Sequence, residues 1–401
     1  MYNERTDTEK GKHRTDPFTG KAEVMENKDG MIRRPERNSA IELCRILSML
    51  MIVICHFATH GGFDFDRARI TAPRLWWYVI EMGGNFGVDV FILISGYFLI
   101  SHTDLKINFK RIARLWGQVF FYSVAIFALS IALGLDRFSA VRFVKSLFPV
   151  TTEAWWFVTA YFVMFLLHPF LNKLLHALDQ RQYQRLLLLL LFIWCVVPTF
   201  TTFPLASNEL CQFLLIYTVG GYVRLYGDKM KLKSRHFFLL WLAAALVTWL
   251  SAVVLMVLGK IAAVFADHAA YFYGRLSLPT LLGAVFFFMI FVKMTIPANR
   301  FVNTLSSAAF GVYLIHDSTV IRPLLWEKVF ANAGYQESLL LIPYSIAAAL
   351  IVYAVCTLID LARIHTVEAL YMKAVGSCAD RIAAPFGRIA GRISGWLFGK
   401  E

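Results

Sequence analysis

Apolar residues in this chain fall in long uninterrupted runs, many close to the roughly 20 residues that a helix needs to cross bilayer hydrocarbon. No water satisfies the backbone in lipid, so runs of this length must be helices. Ten crossings are expected, near residues 40–58, 78–101, 115–134, 154–172, 186–202, 209–226, 236–258, 275–293, 304–322 and 338–361. The clearest runs are Phe237 to Leu258 and Leu276 to Val292. Pro169 should kink the fourth near the membrane face. The ninth is the least apolar, and a break or tilt is expected there. Composition agrees: only 17% of residues are charged, against about 25% in a soluble domain. A string of soluble domains, which 401 residues would otherwise allow, is excluded. The expected fold is an all-α, polytopic membrane bundle of about ten transmembrane helices.

The net charge of +13 acquires meaning only once it is placed on that topology. With the N-terminus in the cytosol, cytosolic segments carry 29 Lys and Arg, and the opposite loops carry 9. Basic residues favour the cytosolic side, so both termini are expected there. The same distribution accounts for the charge without a nucleic-acid partner. Residues 1–39 read as a disordered polar cytosolic tail, with no apolar core of a signal peptide. Residues 40–361 form the membrane domain. Residues 362–401 alternate basic and apolar positions (Arg381, Ile382, Arg388, Ile389, Arg392, Ile393) and suit an amphipathic helix on the inner surface, or a short soluble coil. The six cysteines show no paired spacing and read as packing residues. There is no Walker loop, dinucleotide glycine pattern or internal repeat, which weighs against an ATP-driven pump.

Ionisable residues inside a span are costly, so each is a functional candidate. The first span holds Glu42, Arg45, His56 and His60. Arg45 and His56 are eleven positions apart, about three turns plus 20°, and therefore share one face roughly 16 Å apart along the axis. Such a face should line a cavity. Asn85, Asp89 and Ser95 lie in the second span. Lys110, Arg111 and Arg114 cluster where the third begins, with Arg111 and Arg114 on one helix face. Such a cluster suits phosphate groups arriving from the cytosol, or is an ordinary positive-inside feature. Trp155 and Trp156 open the fourth span as an aromatic platform or as part of an interfacial belt, with Tyr161 a little further on. His316 and Asp317 fall in the ninth, where structural polar packing is the plainer reading, and Arg322 is counted within the same span. His56 and His60 have the i,i+4 spacing of metal ligands, but Phe57 stands where a zincin has Glu, and no metal is expected.

Arg45 and His56, then Gly87-Val-Asp-Val-Phe-Ile-Leu-Ile-Ser-Gly-Tyr-Phe98, then Arg111 and Arg114, then Trp155-Trp-Phe157 with Tyr161, then Phe310-Gly-Val-Tyr-Leu-Ile-His316 occur in one order. In that order they resemble the acyltransferase-3 family, integral-membrane O-acyltransferases of bacterial glycans, over residues 40–359. Two positions depart from the usual pattern: Tyr97 stands where Phe is commoner, and Asp317 where Pro often follows the histidine. With no soluble hydrolase-like domain appended, the chain resembles the stand-alone members.

The resemblance implies transfer of an acyl group, usually acetyl, from cytosolic acetyl-CoA to a hydroxyl of an envelope glycan or lipid-linked sugar, at a bacterial cytoplasmic membrane. Arg45, Lys110, Arg111 and Arg114 would receive the CoA nucleotide. His56 would act as general base or as a covalent acyl carrier. Asn85, Ser95 or a tryptophan indole would serve the oxyanion. Asp89 would orient a cationic partner or pack structurally, and Trp155, Trp156, Tyr161 and His316 would contribute to the acceptor site. The rival reading is a transporter or flippase for a lipid-linked sugar that uses the same charged face as its pathway.

Overall fold

The computed structural model describes residues 37–375, apart from 67–68, 106–107, 202, 204 and 276, together with residues 25–26 and 32–33, which pair as a short antiparallel ladder. The amphipathic segment expected around Arg381–Leu397 lies outside the described residues.

The chain is helical in the order α1 Ser39–Thr59, α2 Ala72–Leu99, α3 Phe109–Ala132, α4 Ala140–Leu147, α5 Trp156–Ala177, α6 Gln180–Leu191, α7 Val197–Thr201, α8 Glu209–Tyr226, α9 Ser234–Leu258, α10 Ala263–Asp267, α11 Leu278–Val292, α12 Arg300–Ser307, α13 Ala309–His316, α14 Ile321–Pro323 and α15 Leu341–Arg363. A π-helical turn joins α6 to α7, and another carries α15 on past Arg363. Among the described residues, eight helices are long and apolar enough to cross a membrane. At the two other positions expected to cross, α8 has 18 residues and α12–α13 is broken. Helix α5 continues through Pro169 to Ala177.

Burial sorts the helices into layers. Helices α1 and α2 are mostly covered by protein, whereas α9 exposes large apolar side chains such as Leu239, Val247 and Val254. An apolar exterior around a polar interior is the arrangement a bilayer selects. Helices α1 and α2 approach closely at Gly87, where a Cβ would lie 2.5 Å from the Ser48 carbonyl oxygen. Small residues permit such contact, and close packing replaces the hydrophobic drive that lipid removes.

The ninth run breaks at Ala308, whose N–H bonds to the Leu305 oxygen three residues back (3.2 Å). Helix α13 then stops at His316, and Asp317 adopts a non-helical conformation. Arg322, expected within this span, therefore lies beyond the end of α13, on the turn at α14.

Candidate active site

Asn38 caps α1 by accepting hydrogen bonds from the Ala40 and Ile41 amides, and the helix then runs unbroken to Thr59. The eleven-residue offset is thus realised as helix. Arg45 is 7% exposed and pairs with Glu42 one turn earlier. It also donates to Ser306 Oγ on α12 (3.3 Å). Glu42 accepts from Ser306 as well and has Arg37 Nε at 3.5 Å. At the other end of α1, His56 Nδ1 lies 2.9 Å from His316 Nε2, on the last residue of α13. Arg45 touches α12 and His56 touches the end of α13, so both face the same broken element.

His316 is fully buried, with Nδ1 2.6 Å from the Val312 carbonyl oxygen. Asp317 Oδ1 sits 3.5 Å from His56 Nδ1, 3.8 Å from His60 Nε2 and 3.3 Å from Arg322 Nε. Arg322 also donates to the Asp317 carbonyl (3.3 Å) and lies 3.4 Å from His60 Nε2. Three histidines, a carboxylate and a guanidinium thus form one cluster. Burial and the Arg322 charge hold His60 below its ordinary pKa of 6.5, with Asp317 opposing the shift.

One ligand atom each from His56, His60 and Asp317 lie within 4.8 Å of one another, a set capable of holding a metal ion. Arg322 already supplies a cation to the same carboxylate oxygen, so the set reads as an ion-paired cluster.

One of three cavities is lined by members of the cluster. A small one of about 60 Å³ is lined by Arg45, Ser306, Ser95, Tyr161, Phe157 and Phe310. An open vestibule of about 390 Å³ is lined by Thr59, His60, Thr319, Arg322 and Glu327. A third of about 160 Å³, lined by Trp155, Ser318, Thr319, Arg142 and Lys145, shares Thr319 with the vestibule. Tyr313 stands between: its ring centroid is 5.5 Å from that of Phe157 and 6.3 Å from that of His316.

The other expected site residues divide. Ser95 Oγ bonds the Phe91 carbonyl (2.9 Å) and lies 3.1 Å from the Tyr161 hydroxyl, on the Arg45 cavity. Asn85 Nδ2 donates to the Tyr273 carbonyl (2.6 Å), which commits it to the segment before α11. Asp89 is fully buried and accepts from Gln212 Nε2 (3.0 Å), tying α2 to α8. Trp156 lies under the Arg275 guanidinium, 4.1 Å away, so cation–π stacking occupies its face. Trp155 is buried, and its indole N–H has no hydrogen-bond partner among the described residues. Lys110 is exposed. Arg111 NH1 lies 3.2 Å from His102 Nε2, and Arg114 pairs with Glu368 (3.1 Å).

Sequence reasoning missed Arg322 and Asp317 as members of the histidine cluster. Arg322 reads in the sequence as a charge within a span, the very signal that marks a functional candidate. Also missed was Asp360 on α15, which accepts from Tyr122 (2.7 Å), Gln118 (3.3 Å) and Arg363 (2.7 Å).

The ordered arginine–histidine face, the central α2 and the broken helix ending in His316 all lie within residues 38–361, which match the acyltransferase-3 family model, described as an acyltransferase domain. The chain belongs to the acyltransferase-3 family. As an acyltransferase-3 protein with several apolar helices, it is a multi-pass membrane acyltransferase. The matched region takes in the whole cluster from Glu42 to Arg322. No curated protein and no solved structure matches the chain.

Proposed function

We propose that this acyltransferase moves an acyl group, acetyl in the simplest case, from cytosolic acyl-CoA to a hydroxyl of a bacterial cell-envelope glycan or its lipid-linked precursor. The observation that carries the reading is the position of His56. Its imidazole lies 2.9 Å from His316 and, ring to ring, 5.2 Å from His60, which lines the open vestibule, while Arg45 on the same helix lines the smaller cavity. Both termini are cytosolic in this reading, so the Arg45 end of α1 faces the donor and the His60 end faces the acceptor.

The acyl-CoA nucleotide is received at the inner face by Arg111 and Lys110, and the pantetheine arm runs past Arg45 toward His56. The acceptor enters through the vestibule. His56 takes the acceptor hydroxyl proton as the new C–O bond forms at the thioester carbon. When the tetrahedral intermediate collapses, the C–S bond breaks and the departing CoA thiolate takes that proton back. Asp317, 3.5 Å from the ring, balances the transient imidazolium charge. The hydroxyl hydrogen of Ser95 is committed to a backbone oxygen, and one of the two Asn85 amide hydrogens to another, while the Trp155 indole N–H, unpartnered among the described residues, is the oxyanion donor in this reading.

The test uses purified full-length protein, labelled acetyl-CoA and a panel of envelope glycan acceptors. His56→Ala should lose transfer by about 10²-fold or more while acetyl-CoA binding and the thermal midpoint persist. Full activity in that variant removes the base role. Vectorial movement of a lipid-linked sugar without thioester consumption would establish the transporter instead.

A further inference from the structure

Acid–base work by an imidazole depends on which ring nitrogen carries the proton. The surroundings of His56 decide this, starting two residues away from it in the hydrogen-bond chain. His316 Nδ1 lies 2.6 Å from the Val312 carbonyl oxygen, one turn back on α13. A carbonyl oxygen only accepts, so His316 Nδ1 carries a hydrogen. In the neutral ring the other nitrogen, Nε2, is then a bare lone pair. That lone pair lies 2.9 Å from His56 Nδ1, so His56 Nδ1 must be the donor. The proton of His56 is thereby held on Nδ1, and Nε2 is left with its lone pair.

Asp317 is the other group able to accept from His56 Nδ1. Its Oδ1 is 3.5 Å away, against 2.9 Å for His316, and the same oxygen faces Arg322 at 3.3 Å and His60 at 3.8 Å. A separation of 3.5 Å is at the outer limit of a hydrogen bond, and a carboxylate shared with a guanidinium is a weaker acceptor. Geometry therefore gives the hydrogen bond to His316 and leaves Asp317 a charge-balancing role. A doubly protonated His316 would reverse the arrangement. It would place a second cation beside Arg322 and force the hydrogen of His56 onto Nε2.

We infer that His316 is a positioning residue which, by accepting from His56 Nδ1, fixes the tautomer that leaves His56 Nε2 free to take the acceptor proton. The inference rests on the reading of His56 as the base. Its chemistry is a relay of orientation: the Val312 carbonyl sets His316, and His316 sets His56. No proton travels along it. Elsewhere, holding a catalytic imidazole in the wrong tautomer costs up to about 10⁴-fold in kcat with the geometry preserved.

The tautomer measurement needs no acceptor. Full-length protein labelled with ¹⁵N-histidine is reconstituted in lipid nanodiscs, and the His56 signals are assigned by their loss in His56→Ala. The expected result is protonated Nδ1 and bare Nε2 for His56. In His316→Gln the side-chain oxygen sits near the former Nε2 and accepts from His56, so the tautomer should persist. In His316→Phe, of similar size but without an acceptor, the Nε2–H form should appear. With a glycan acceptor present, thiol release from acetyl-CoA should fall about 10²-fold in kcat for His316→Phe with the acetyl-CoA KM unchanged, and stay within about fivefold of wild type for His316→Gln. A merely structural role would move the thermal midpoint and leave the His56 tautomer alone. His56 found as Nε2–H in the wild type, or unaltered in His316→Phe, overturns the inference. An active His56→Ala would instead remove the base reading, whatever the tautomer result.

Discussion

Glu42 lies one turn ahead of Arg45 on α1 and pairs with it in the protein interior, so the guanidinium that borders the smaller cavity is half of an ion pair. The partners are not equally dependent on each other. Glu42 serves two guanidiniums, Arg45 and Arg37 at 3.5 Å, and accepts from the Ser306 hydroxyl, to which Arg45 also donates.

Removing the carboxylate should therefore cost more than removing the guanidinium. Glu42→Ala removes the carboxylate that faces both Arg45 and Arg37, at about 3–5 kcal/mol for a broken buried pair. Arg45→Ala leaves Glu42 with Arg37 and Ser306 and should cost clearly less. Thermal midpoints of both variants in the same detergent decide the order. A larger loss for Arg45→Ala would mean that Glu42 does not depend on Arg37 and Ser306 in this way.

Arg111 and Arg114 are adjacent on the first turns of α3 but are differently engaged. Arg114 pairs with Glu368, which also holds Arg363 at 2.8 Å, so it ties α3 to the chain beyond α15. Arg111 NH1 lies 3.2 Å from His102 Nε2. Arg111→Ala should raise the acetyl-CoA KM about tenfold, since one charged contact to a phosphate is worth about 1.4 kcal/mol or more. Arg114→Ala should lower the thermal midpoint and change KM less than threefold. Equal KM effects would place both arginines on the donor.

The helices and the first site pair were legible in the sequence because both rest on local rules. Run length sets the helices, and the α-helical repeat puts Arg45 and His56 on one face. What could not be read was pairing across the fold. His56 and His316 are 260 positions apart, and the choice between a packing histidine and a functional one turns on which helix end meets which. The engagement of Asn85 by Tyr273 and of Trp156 by Arg275 is equally non-local. Arg322 is misplaced for a different reason: the apolar Val320 and Ile321 suggest a span resuming after the polar Asp317–Thr319, whereas the helix stops at His316.

The cluster also sets a direction for pH dependence. His60 has its pKa lowered in the fold, mainly by burial and then by Arg322. Below about pH 6.5 the unfolded chain binds a proton there that the folded protein refuses, so stability falls as pH drops from 6.5 toward the lowered value. The thermal midpoint should fall between about pH 7.5 and 5.5, and His60→Gln should flatten that slope. A slope unchanged by His60→Gln would assign the acid sensitivity to other groups.

Arg322 decides whether the same cluster behaves as an ion pair or as a metal site. The ligand atoms of His56, His60 and Asp317 lie within 4.8 Å of one another, close enough to converge on a zinc ion with small rotations. The guanidinium beside Asp317 opposes this, because a divalent cation at the carboxylate would sit next to an existing positive charge. Micromolar zinc should therefore inhibit the wild-type enzyme weakly, and a chelator should leave acyl transfer unchanged. In Arg322→Ala the carboxylate loses its cation, and zinc should inhibit at concentrations at least about tenfold lower, the equivalent of 1.4 kcal/mol. Arg322→Lys keeps a positive charge near the vestibule and should stay close to wild type in zinc response. Zinc titrations of thiol release from acetyl-CoA with the three proteins make the comparison. Equal sensitivity in wild type and Arg322→Ala would show that Arg322 does not guard these ligands.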